Sequence, residues 1–136
     1  MIDVTFATTC RHYIAQRTEH LTARRKMETI KIFYKRDPAV NLRKVHDEDG
    51  VVLDVRTSAE FLGGHIPGAL NIELDQLSSH VGLLPNKGQY IVTCCASGER
   101  SACAKVILES LGYTRVFNGG SWKSLQEHMI HVESEV

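Results

Sequence analysis

The sequence predicts an α/β protein: a single domain with a mostly parallel central sheet and helices on both faces. Three observations predict it. Short runs rich in β-branched residues alternate with stretches of helical spacing, the pattern of parallel strands joined by crossover helices. One run, Val51-Val52-Leu53-Asp54-Val55, is almost continuously apolar, as a central strand buried on both faces must be. Ile91 to Gly112 reads as strand, short loop and helix. Ile91, Val92 and Thr93 are β-branched, and Ala102, Val106, Ile107 and Leu111 recur at helical spacing before a glycine.

Taken in order, residues 1–26 hold Arg11, Arg17, Arg24, Arg25 and Lys26, with only Asp3 and Glu19 as acids. They lack the apolar core of a secretory signal. Three readings stay open: a loosely ordered or helical extension, a stretch upstream of a natural start at Met27, and an Arg-rich transit peptide, against which Asp3 counts. The expected organisation is a basic extension over 1–28 and the α/β domain over 29–136. A chain beginning at Met27 is expected to keep both fold and activity.

Thr29 to Tyr34 has β-branched and aromatic content and reads as a first, edge strand. Asp37 and Pro38 read as the N-cap and first position of a short helix to about Val45, and His46 to Gly50 as a turn. After the Val51–Val55 strand, Ser58 is expected to cap a short helix that Gly63-Gly64 ends. Ala69 to Ile72 reads as a short strand, Leu74 to Leu84 as a helix, and Pro85 to Gly88 as a turn. Tyr90 to Cys94 is a strand, Ser101 to Gly112 a helix, Thr114 to Asn118 the last strand, and Ser121 to His128 the last helix.

With 136 residues the chain can bury one real core but not two ordinary ones. At 43% hydrophobic and 24% charged it belongs to neither the disordered nor the membrane class. Net charge is zero but unevenly spread: residues 1–44 carry ten Lys/Arg against four acids, and residues 45–136 six against twelve. No motif supports nucleic-acid binding by the basic third. Cysteines stand at 10, 94, 95 and 103. Adjacent Cys94 and Cys95 cannot easily bridge, and no paired C-x2-C suggests zinc. The expectation is free thiols in a reducing, cytoplasmic setting, with no metal.

The functional candidate is Cys95 with the loop Ala96-Ser97-Gly98-Glu99-Arg100. A thiol at the C-terminal end of a strand, just before a helix, sits where loop and first-turn N–H groups converge and the helix dipole adds positive charge. Such a setting favours the thiolate and stabilises a bound anion. Gly98 lets the loop turn through dihedrals that a β-carbon resists. Arg100 closes the loop with a fixed cation, although a cation there opposes the dipole. Strand alternation places Cys94 on the opposite side, as a core residue. Cys103 reads as core, with a resolving thiol as its functional alternative.

Here the sequence resembles the rhodanese family of single-domain sulfurtransferases. Cys95-x-x-Gly98-x-Arg100-Ser101 is similar to that family's active-site loop. Asp54-Val55-Arg56-Thr57-Ser58-Ala59-Glu60-Phe61, Gly64-His65-Ile66-Pro67-Gly68-Ala69 and Val116-Phe117-Asn118-Gly119-Gly120-Ser121-Trp122 match further segments in the family's order. The resemblance covers about residues 38 to 130. It implies a rhodanese-like fold, Cys95 as nucleophile, residues 96–100 as substrate cradle, and Asp54 and Arg56 as supports. Glu60 is the expected partner of Arg56, four residues away. His65, in a turn, is expected to serve structure, and Trp122 to pack on the last helix or to line the site's mouth.

The implied chemistry is transfer of a sulfane sulfur from thiosulfate, a polysulfide or a persulfide, through a Cys95 persulfide, to a thiol, cyanide or a protein acceptor. No cofactor, nucleic acid or membrane is implied, and the oligomeric state is left open. Two departures from the family pattern bear on the donor: Ala96 is not basic and Glu99 is acidic, which disfavours a dianion. Two alternatives remain. One is a non-catalytic binding or regulatory module. The other is a phosphatase or arsenate reductase, because counting from Cys94 the segment reads C-x5-R.

Overall fold

The computed structural model describes residues 14–134, with side chains through His131. Four parallel strands form its sheet: β1 (Val51–Asp54), β2 (Leu70–Asn71), β3 (Ile91–Cys95) and β4 (Val116–Ser121), in the order β2-β1-β3-β4. The helices are α1 (Ala23–Tyr34), α2 (Leu42–Asp47), α3 (Ser58–Leu62), α4 (Glu99–Ser110) and α5 (Trp122–Ser134). A turn of helix over residues 14–18 precedes α1. The predicted α/β class is borne out.

Strand period two divides the core between the two faces of the sheet. On one face Leu53, Val55, Ile91 and Cys95 pack with Ala104 and Leu108 of α4 and with Leu77, and Phe33 of α1 adds to them. On the other, Val52, Val92 and Cys94 pack with Leu125 of α5, against Leu42 and Val45 of α2. β1 and β3 are thus covered on both faces, which accounts for their near-continuous apolar runs.

Four elements differ from expectation. Thr29 to Tyr34 is not a strand but the second half of α1. Thr22 caps that helix, its side chain accepting from the Arg25 N–H. Ile30, Phe33 and Tyr34 are its half-buried positions, a three- and four-residue spacing that a six-residue window of β-formers conceals. The 28/29 boundary therefore falls inside a helix. Thr18 is buried and Ile14 packs on the core, so a start at Met27 removes the Thr22 cap and these contacts. Residues 1–13, with Cys10, lie outside the described residues.

The helix expected from Pro38 begins only at Leu42, capped by Asn41; Asp37 instead closes a turn, its carboxylate accepting from the Ala39 N–H at 2.9 Å. Leu74 to Leu84 is two short 3-10 pieces, Leu74–Ser79 and Val81–Leu83. The cap of α3 is Thr57, with Glu60 completing a capping box.

Candidate active site

The site lies at the carboxyl ends of β3 and β4, where ligands of parallel sheets bind. β3 ends at Cys95, and α4 begins at Glu99 with Gly98 as its N-cap. Gly98 has φ 99°, and a β-carbon on it would run into the carbonyl of Tyr34 at the end of α1. Both conditions require glycine. The tight turn aims two backbone donors back at the sulfur: the Gly98 N–H lies 3.0 Å from Cys95 Sγ, and the Ser101 N–H 3.4 Å. With the N-terminus of a three-turn helix behind them, a negative sulfur is stabilised there. Cys95 itself is fully buried.

Between β3 and β4 the register slips. Thr93 faces Asn118 but Cys95 faces Ser121, so one extra residue of the Gly119-Gly120 pair bulges β4. This leaves Asn118 beside the loop. Its Oδ1 accepts from Gly120 N–H at 2.9 Å and from Ser101 Oγ at 2.6 Å. Its Nδ2 donates to the carbonyls of Lys35 at 3.1 Å and Gly98 at 3.4 Å. Asn118 thus ties the loop after Cys95, the bulge and the chain leaving α1 into one network.

Cys94, one residue earlier, points through the other face. Burial pushes its thiol up, and the Asp54 carboxylate pushes it further, only partly offset by Arg56. Cys94 and Cys95 are free. Cys103 is disulfide-bonded, which corrects the expectation of free thiols at that position and takes Cys103 out of a resolving role toward Cys95.

Of the other predicted site residues, Ala96, Ser97 and Glu99 are exposed on the loop. Arg100 is not an open anion-binding cation. Its two terminal nitrogens donate to the Glu60 carboxylate at 2.7 and 2.9 Å. The Arg100 hydrogen bonds hold that carboxylate down at about 2 against the opposing effect of partial burial, and Thr57 assists. The expected Arg56–Glu60 ion pair is corrected accordingly: Arg56 reaches only the Glu60 backbone carbonyl, at 3.3 Å. Arg56 instead clasps buried Asp54, Nε to Oδ1 at 3.0 Å and Nη2 to Oδ2 at 2.8 Å. It also donates to the Gly64 carbonyl at 2.7 Å and lies 4.6 Å over the Trp122 ring. Asp54 and Arg56 therefore brace the β1 end of the site. His65 lies beside the Phe61 carbonyl at 2.7 Å and stacks on the Phe61 ring.

Sequence reasoning missed the Arg100–Glu60 pair and the Ser101–Asn118 network. The only signal for the latter was the Asn-Gly-Gly run ending a strand, which a bulge explains. Among the described residues no cluster of His, Cys, Asp and Glu could hold a metal ion, and no helix is long and apolar enough to cross a membrane.

The sequence profile described as Rhodanese-like domain matches residues 37–128. Thiosulfate sulfurtransferase PspE of Escherichia coli is 34% identical over 74 residues, covering 54% of this chain and 71% of that protein. The human thiosulfate:glutathione sulfurtransferase is 32% identical over 80 residues, covering 49% of this chain and 70% of that protein. A solved rhodanese with anions from E. coli superposes with a TM-score of 0.51 at 33% identity, covering 54% of this chain and 88% of that one. A human single-domain sulfurtransferase superposes at 0.54 and 28% identity, covering 62% and 88%.

Proposed function

The chain belongs to the rhodanese-like sulfurtransferase family, and from that premise we propose that it moves a sulfane sulfur through a persulfide on Cys95. The observation that carries this reading is the convergence of the Gly98 and Ser101 N–H groups on one sulfur at the head of α4. The Cys95 thiolate attacks the outer sulfur of the donor. The donor's S–S bond breaks, the new S–S bond forms on Cys95, and the leaving group departs as an anion. An acceptor thiolate, cyanide or a protein thiol then takes the outer sulfur and returns Cys95 to the thiolate. Each step is a nucleophilic displacement at sulfur, so no cofactor is needed.

The charges at the mouth bear on the donor. Glu60 neutralises Arg100, Glu99 is exposed and acidic, and Ala96 brings no cation. A dianion such as thiosulfate meets little attraction there, which favours a persulfide of low charge or one carried by a protein. The phosphatase reading needs Cys94 as nucleophile, and Cys94 faces away from the loop donors with its thiol pushed up by burial. Intact mass after incubation with polysulfide or thiosulfate tests the function. A gain of one sulfur, lost on adding cyanide, is expected; no gain with any sulfane donor overturns the reading.

A further inference from the structure

Ser101 touches the Cys95 sulfur with its hydroxyl as well as with its backbone N–H. Its hydroxyl is fully buried, accepts from Cys95 Sγ at 3.4 Å, and has two acceptors of its own, Asn118 Oδ1 at 2.6 Å and the Gly98 carbonyl at 3.1 Å, with the sulfur as a third once it is a thiolate. A hydroxyl has one hydrogen to give, so it serves one of them at a time. Asn118 cannot turn to suit it. The Lys35 and Gly98 carbonyls hold Nδ2, and the Gly120 N–H holds Oδ1, so Oδ1 always faces Ser101.

These contacts have two self-consistent arrangements. With a thiol at Cys95, the S–H donates to Ser101 Oγ and the hydroxyl donates to Asn118 Oδ1. With a thiolate, the first arrangement would leave hydroxyl lone pairs against an anion. Turning the hydroxyl puts its hydrogen on Sγ, while Asn118 Oδ1 keeps the Gly120 N–H. No buried polar atom is stranded in either arrangement. Ser101 and Asn118 are 0% and 3% exposed, so bulk water does not supply this donor.

We propose that Ser101 is a further catalytic residue, whose hydroxyl turns from Asn118 to Cys95 Sγ when the thiol ionises and so becomes the third donor to the sulfur anion. The Cys95 proton leaves to solvent; the hydroxyl keeps its own proton and changes only its acceptor. The charged groups around the site are Arg100 paired with Glu60, Asp54 paired with Arg56, the exposed Glu99, and Lys35 and Arg36 on the chain leaving α1. Arg100, although paired with Glu60, still interacts electrostatically with the Cys95 sulfur, so the hydroxyl adds a short-range donor to that longer-range attraction. This role for Ser101 rests on Cys95 being the nucleophile, but not on any sulfur donor.

Iodoacetamide labelling of Cys95 as a function of pH, in the full chain and in Ser101→Ala, tests it without involving sulfur transfer. A hydrogen bond to a charged group is worth about tenfold or more in equilibrium. Labelling of Ser101→Ala near neutral pH should therefore be about tenfold slower, the two rates should meet at alkaline pH, and Ser101→Thr should restore the wild-type profile. Equal profiles, or a rate ratio constant at every pH, would overturn the proposal. In the unmodified protein, the Asn118 side-chain amide resonance should move with the thiolate absorbance during titration. An amide signal indifferent to that ionisation would equally sink it, whether or not Ser101→Ala folds.

Discussion

Cys94 and Cys95 differ by one step along β3, and that step decides their chemistry. Both are fully buried. Cys94 lies among Val52, Val92 and Leu125, with the Asp54 carboxylate as an electrostatic neighbour, and every influence but that of Arg56 works against its thiolate. Cys95 lies at the head of α4 with two N–H groups aimed at it. Burial alone therefore makes neither a reactive nor an inert cysteine; what matters is whether the buried surroundings supply donors. In a parallel strand the choice is made by alternation, and the loop and helix after it equip one side only.

Replacing each cysteine should break this symmetry most visibly. Cys95→Ser is expected to abolish persulfide formation on every sulfane donor. Arg100→Ala comes next. The change leaves the Glu60 carboxylate without its partner and removes a cation that interacts electrostatically with the Cys95 sulfur; persulfidation should slow by about tenfold, and Arg100→Lys should recover only part because it lacks the planar fork that grips Glu60. A loss confined to thermal stability would assign Arg100 to structure alone.

Glu60→Gln should act in the other direction. It preserves an acceptor for Thr57 but frees the Arg100 charge, so KM for thiosulfate should fall several-fold while KM for a neutral persulfide stays put. A rise in the thiosulfate KM would mean that Glu60 serves by holding Arg100 in place. The same pair predicts a pH dependence. The folded carboxylate is held at about 2, below its unfolded value of about 4.3, so its stabilising contribution is complete above the unfolded value and fades as pH falls through the folded one. The acid limb of a melting-temperature profile should be shallower in Glu60→Gln. Cys94→Ser should do least to activity: most of it should survive, with a stability loss of about 1–3 kcal/mol for a hydroxyl placed in an apolar site.

The cysteine comparison was legible in the sequence because it depends only on strand period and on the loop and helix start immediately downstream. The same locality made β1, β3, α4 and the Gly98 turn readable. The Arg100–Glu60 pair was not, because the two are far apart in the chain and helical spacing pointed from Glu60 to Arg56 instead. Asn118 depends on a bulge, which no propensity at Asn118 itself announces. Thr29 to Tyr34 misled for a different reason. Its β-formers are local, but the decisive contacts, Phe33 on the sheet-facing core and the Tyr34 carbonyl against Gly98, are tertiary.

The most direct test of this account is to locate the transferred sulfur. The full chain is treated with a sulfane donor, the thiols are trapped by alkylation, and the peptide containing both cysteines is sequenced by fragmentation in the mass spectrometer. The extra sulfur should sit on Cys95 and leave on addition of cyanide, with no hydrolysis of a phosphate ester in a parallel assay. Sulfur on Cys94, or phosphate-ester hydrolysis that disappears in Cys94→Ser, would contradict it.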